Sequence, residues 1–168
     1  MNKDMKTLDP EIYELIILYG NDIINHVNMQ TTKKYMQHGE ISCYTHILAV
    51  AYYSVRIAKK LGWNVDYESL IRGALLHDYF LYDWRVREKA HRFHGFRHAK
   101  VALANASRDF TLNRIEEEII VKHMFPLNII PPTTKESLIV TIMDKVCATY
   151  ELYAKNPYAK YNYFDCIK

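Results

Sequence analysis

Ile47, Val50, Ala51, Ser54, Val55 and Ala58 fall at i, i+3, i+4, i+7, i+8 and i+11, the spacing that puts side chains on one face of an α-helix. The same period recurs along most of the chain, whereas the period-two alternation of a half-buried strand is nearly absent. Cap residues bracket each periodic segment. Asp9–Pro10 opens a helix to about Leu18, which Gly20 and Asn21 stop. Ser42 caps a long helix to about Leu61, closed by Gly62. Asp66 caps a third that runs through Leu70, Ala74 and Leu75 to His77. A fourth fits Phe96 to Arg108, with Val101, Ala102 and Ala104 inward. Asn113 and Glu116 have capping-box spacing ahead of Ile115, Ile119, Ile120 and His123, and Pro126 ends that helix. After a loop at Pro131 and Pro132, Thr134 opens a helix carrying Leu138, Ile142, Val146 and Thr149. The expected fold is an all-α, single-domain helical bundle over residues 1–168, with a tyrosine-rich tail from about 156 to 168.

Composition narrows the function classes. The 168 residues suffice for one core, and no apolar run approaches the roughly 20 residues that span a bilayer. With no apolar leader after Asn2, Lys3 and Asp4, a cytoplasmic, membrane-free protein is expected. Cys43, Cys147 and Cys166 are odd in number and lack paired metal spacing, so they read as reduced, buried small hydrophobes. The net charge of +3 is too mild to imply a nucleic-acid partner. Its distribution is uneven: between residues 85 and 100 stand Arg85, Arg87, Lys89, Arg92, Arg97 and Lys100 against Glu88, with His91, His94 and His98. Beside a metal site, that segment would make an electropositive wall for an anionic ligand.

The chemistry is concentrated in histidine and aspartate. His77–Asp78 closes an apolar helix. His46 lies one helix earlier, and Asp144 sits inside Ile142-Met143-Asp144-Lys145-Val146. A carboxylate in such surroundings is costly unless it is paired or bound to a cation. Side chains projecting inward from facing helices are how bundles hold metals. His46, His77, Asp78 and Asp144 thus make a four-ligand set. His98 and His123 stand where a second ion bridged by Asp78 would need them. Imidazole and carboxylate donors suit iron or manganese, with zinc or nickel as further options. Between His94 and His98, one turn apart, His98 is the expected ligand, because Gly95 should start the helix at or after itself and leave His94 in the preceding loop.

These residues, in this order, resemble the HD-domain superfamily of metal-dependent phosphohydrolases, over roughly residues 36 to 152. The family runs His, His-Asp, Asp along a helical bundle, and its dinuclear branch adds two histidines before the last Asp. His46, Leu75-Leu76-His77-Asp78 and Asp144-Lys145 match the first pattern, and His98 and His123 match the added pair. His98-Ala99-Lys100-Val101-Ala102 is similar to the third-histidine helix of small diadenosine tetraphosphate hydrolases and of cyclic dinucleotide phosphodiesterases. The chain departs from the family in carrying Tyr79-Phe80-Leu81-Tyr82-Asp83 where many members have Ile-Gly-Lys after His-Asp. It also has Met124-Phe125-Pro126 in place of the Gly-Tyr-Pro of the cyclic-di-GMP branch.

The resemblance implies hydrolysis of a phosphate ester or anhydride, on a small phosphorylated molecule such as a nucleotide, by metal-activated water. It implies two divalent transition ions and a catalytic Asp78. His94, Arg97 and Lys145 would contact the phosphate, with His94 or Lys145 protonating the leaving oxygen. Arg72, one turn before the motif, reads as a helix-surface charge. Tyr79, Tyr82, Trp84 and Phe125 are candidates either to stack a base or to fill the core. Two other readings share the ligand set: a di-iron oxygenase of the same superfamily, and a non-catalytic nucleotide-binding domain. Homodimer formation is left open.

Overall fold

A computed structural model describes residues 9–38, 41–85 and 94–154 and Tyr158, without the side chains of His38, His94 and Phe96. Among the described residues the elements run α1 (Pro10–Ile24), α2 (Val27–Thr31), a 3-10 turn (Thr32–Lys34), β1 (Met36–His38), β2 (Ile41–Ser42), α3 (Cys43–Leu61), α4 (Tyr67–Leu76), α5 (His94–Asp109), α6 (Arg114–Lys122) and α7 (Lys135–Tyr153). The fold is all-α. β1 and β2 form one small antiparallel pair, Met36 opposite Ser42 and His38 opposite Ile41, too short to leave an alternating pattern in the sequence.

The caps form as the residues dictate. The Asp9 and Asp66 carboxylates accept from the first-turn backbone of α1 and α4, Ser42 Oγ accepts from Thr45 N, and Thr134 accepts from Ser137 N. Asn113 and Glu116 close a reciprocal capping box on α6. Gly62 ends α3 in the left-handed region, at φ 62°.

α4 is the central helix and packs against α1, α3 and α6, while α7 closes the other side against α3 and α6. The predicted stripe on α3 is fully buried from Ile47 to Ala58. α1 does not stop at Gly20 but continues to Ile24. Gly20 sits where α1 crosses α4, and a Cβ built there would run into Leu75 Cδ1, so the residue serves close packing rather than termination. Two inward assignments change. On α5 the buried face is Ala99, Ala102 and Ala106, and Ala104 is exposed. On α7 the row Leu138, Ile142, Val146 and Thr149 faces outward, and Ile139, Val140, Asp144, Cys147 and Glu151 face in.

Arg72 is not a free surface charge. It is half-buried, with Nε donating to Glu116 Oε1 at 3.1 Å and Nη1 to Asp22 Oδ1 at 2.9 Å and to the Tyr19 carbonyl at 3.2 Å. It therefore ties α4 to both α6 and α1. Cys43 and Cys147 are buried. Burial first, then the nearby Asp78 and Glu151, push the Cys43 thiol well up, and burial with Glu151 raises Cys147 to about 12, so both stay protonated and unreactive. Cys166 and the tail beyond Tyr158 lie outside the described residues.

Candidate metal centre

Five elements deliver polar side chains to one buried point. His46 comes from the first turn of α3, set by the Ser42 cap. His77 is the C-cap of α4 and Asp78 follows it. His98 lies on the N-terminal part of α5, and His123 is the C-cap of α6. Asp144 projects from the middle of α7. All six are buried.

They sort into two groups that share Asp78. In the first, His46 Nε2 stands 3.2 Å from Asp144 Oδ1 and 3.8 Å from Asp78 Oδ2, and His77 Nε2 stands 3.7 and 3.6 Å from the same two oxygens. In the second, Asp78 Oδ1 is 3.3 Å from His98 Nε2 and 3.5 Å from His123 Nε2. Asp78 thus turns one oxygen to each group, as a bridging carboxylate would.

The donor chemistry fits metal ions. Ligands about 2.1 Å from a common ion stand roughly 3–3.5 Å from one another, close to the spacings here. His77 Nδ1 donates to the Ala74 carbonyl at 2.6 Å, while its buried Nε2, aimed at the two carboxylates, has no hydrogen-bond partner. Asp78 Oδ1 is likewise buried without one. Buried polar atoms left unpaired cost free energy, about 1–3 kcal/mol each, which a coordinated cation removes.

The HD domain family model matches residues 43–149, which takes in all six of these residues. The chain belongs to the HD domain family. Searches of curated proteins and of solved structures return no match. HD domains form a superfamily of metal-dependent, hydrolase-type proteins, and the buried His/Asp groups of this one are its candidate metal ligands.

The charges in this HD domain suit ligation. Burial alone would raise the pKa of Asp78, but His77, His123 and His98 override it and hold the carboxyl well below its usual range. Asp144 is held low in the same way by His46 and His77 against burial. Burial lowers His123, which keeps its imidazole neutral and its lone pair available.

The site opens into a cavity of about 270 Å³ lined by Asp78, His98, His123, Asp144, Lys145, Gln37, Trp84 and Gly95 among others. Lys145 Nζ lies at its edge, donating to the His123 carbonyl at 2.6 Å and the Thr141 carbonyl at 3.3 Å, and 3.6 Å from Asp144 Oδ2. Arg97 is exposed on α5, as are Lys100 and, before the helix, Arg85. α5 begins at His94, one residue before Gly95 rather than after it. The His94 side chain and residues 86–93, with Arg87, Lys89, His91 and Arg92, lie outside the described residues. Of the four aromatic candidates, Tyr79 belongs to the core, its hydroxyl donating to Asp109 Oδ2 at 2.9 Å, and Trp84 lines the cavity. Tyr82 and Phe125 are half-buried.

Sequence reasoning missed two polar contributors. Gln37, on β1, donates from Nε2 to Asp78 Oδ2 at 2.6 Å, and its own Oε1 is buried without a partner. Nothing in the sequence around Gln37 signals this. Glu151 approaches His46 from behind, and it did carry a signal: it stands two helical turns beyond Asp144, on the same face of α7.

Proposed function

We propose that this HD domain hydrolyses a phosphate ester or anhydride on a small molecule, with a nucleotide as the expected substrate class. The observation that carries the reading is the division of Asp78 between two buried ligand groups at the base of an open cavity. Such a pair of adjacent sites suits in-line displacement at phosphorus, where attacking and leaving oxygens both need stabilisation.

Two divalent transition ions, iron or manganese first, would be held by His46, His77, Asp78 and Asp144 and by Asp78, His98 and His123. Bound there, they supply Lewis acidity that neutralises phosphate charge and makes water nucleophilic near neutral pH. The chain's own groups do the rest. Asp78 fixes the spacing of the two groups. Lys145, held at the cavity edge by the His123 carbonyl, presents Nζ to a phosphate oxygen or gives a proton to the leaving oxygen. Arg97, exposed near the start of α5, is the expected positive contact for the phosphate, and His94 is a second candidate for that role. Trp84 offers an indole to the organic part of the substrate.

The test is a panel of nucleotides and phosphate esters incubated with the purified protein and manganese or ferrous iron. Phosphate release that a chelator abolishes is expected. Dioxygen consumed in step with product would replace this reading with that of a di-iron oxygenase.

A further inference from the structure

We propose that Glu151 is a positioning residue for the first metal group, and that Tyr158, beyond the last helix, holds Glu151 in place. This rests on reading the His/Asp groups as metal sites. The Glu151 carboxylate meets His46 Nδ1 with both oxygens, at 3.0 and 2.9 Å. Tyr158 Oη donates to Glu151 Oε1 at 2.6 Å. His46, Glu151 and Tyr158 are 0, 4 and 6% exposed, so water does not replace these bonds.

The arrangement assigns the two nitrogens of His46 different tasks. The Glu151 carboxylate accepts from Nδ1–H, and Nε2, 3.2 Å from Asp144 Oδ1 and 3.8 Å from Asp78 Oδ2, is the nitrogen that would give its lone pair to an ion in place of a proton. A carboxylate behind a ligating imidazole also makes it a stronger donor. The other two anchored ligands lack this feature: His77 and His123 rest their Nδ1 atoms on the Ala74 and Ile120 carbonyls of their own helices. A carboxylate therefore backs the first group, where four donors converge against three in the group of Asp78, His98 and His123. The four-ligand group is the tight site, and the two fill in order.

Tyr158 makes the chain beyond α7 part of this device. Helix α7 ends at Tyr153, and Tyr158 returns to place its ring 6.1 Å from Tyr150 and its hydroxyl on Glu151. The line Tyr158–Glu151–His46 thus runs from the C-terminal segment to the metal group.

The experiment is a titration of the metal-free full chain with manganese, following the free ion, for the wild type, Glu151→Gln and Tyr158→Phe. Gln keeps the shape and removes the charge; Phe removes one hydroxyl. The wild type is expected to show a tight and a weaker site. Glu151→Gln should weaken the tight site about 10–100-fold and leave the weaker one unchanged, and Tyr158→Phe should move the tight site several-fold the same way. A merely structural role would shift both sites together or neither, and either result in folded Glu151→Gln overturns the proposal while leaving the metal reading intact. Should Glu151→Gln not fold, Tyr158→Phe decides by the same criterion. A wild type that binds no ion overturns the proposal and the metal reading together.

Discussion

His98 Nε2 stands 2.9 Å from His123 Nε2, and both face one oxygen of Asp78. Two imidazoles can share one proton at that distance, but two lone pairs and a carboxylate oxygen converging on one point are also what an ion requires. α5 and α6 bring these rings together from positions 25 apart in the chain. Metal occupancy therefore separates His98 from its neighbour His94. His98→Ala is expected to lose the second ion and keep the first, and His94→Ala to keep both while losing activity or substrate affinity. Elemental analysis of the two variants checks this. An empty second site in His94→Ala alone would reverse the assignment.

Asp78 serves both groups, so its replacement should be felt in both. Asp78→Asn removes one negative charge from the midpoint and retains the side-chain shape. Metal content should fall from two ions toward none, and turnover of any phosphate ester should drop by at least about 100-fold. Circular dichroism should show the helices intact, since Asp78 contributes to no helix cap.

Gly20 lets α1 lie against α4, and its replacement should be costly despite a better helix propensity. Gly20→Ala gains up to about 1 kcal/mol of propensity but forces a methyl into Leu75, where overpacking costs about 1–3 kcal/mol. A net destabilisation of about 1–2 kcal/mol is expected in urea unfolding. Combining it with Leu75→Ala should cost less than the sum of the two single changes, because the cavity accepts the methyl.

Glu118 fastens the loop before α7 to α6. Its Oε1 accepts from the backbone of Thr133 at 2.6 Å and Thr134 at 2.9 Å, and Oε2 from Thr133 Oγ1 at 2.7 Å. Burial would raise its carboxyl, but the Thr133 side chain and backbone, the Thr134 N–H and Lys122 bring it down to about 2. A depressed folded-state value means the ionised form is favoured by folding. The stabilisation is complete above the ordinary glutamate value near about 4.3 and disappears as pH falls through about 2. Between those limits the wild type should lose urea stability more steeply than Glu118→Gln. Parallel slopes for the two proteins would remove the assignment.

The helices and their caps were legible because they rest on local rules. Ser42, Asp66, Asn113 with Glu116, and Thr134 each satisfy donors within three residues of themselves, and the six candidate ligands stood out as polar groups in apolar helices. What the sequence hid was set by contacts between distant segments. Gly20 looks like a stop until Leu75 is placed against it. On α7, apolar residues occur on every face, so periodicity could not choose between the row from Leu138 to Val146 and the row holding Asp144 and Glu151. The metal group chose: Asp144 must reach His46 and His77, which turns Leu138, Ile142 and Val146 to the outside. Gln37 reaches Asp78 from a five-residue β pair with no pattern of its own.

His77 and His123 cap the C-terminal ends of α4 and α6, whereas α5 presents its N-terminal turn, through Gly95, to the same cavity. Each helix end carries roughly half an elementary charge, negative at the carbonyl end and positive at the amide end. The floor of the cavity is therefore negative before any side chain is counted, and one wall is positive. A bare phosphate meets repulsion from the floor, and a cation meets attraction. Under the proposed function the backbone would favour an order of assembly, ions first, and then the anion on a floor whose sign they would have reversed.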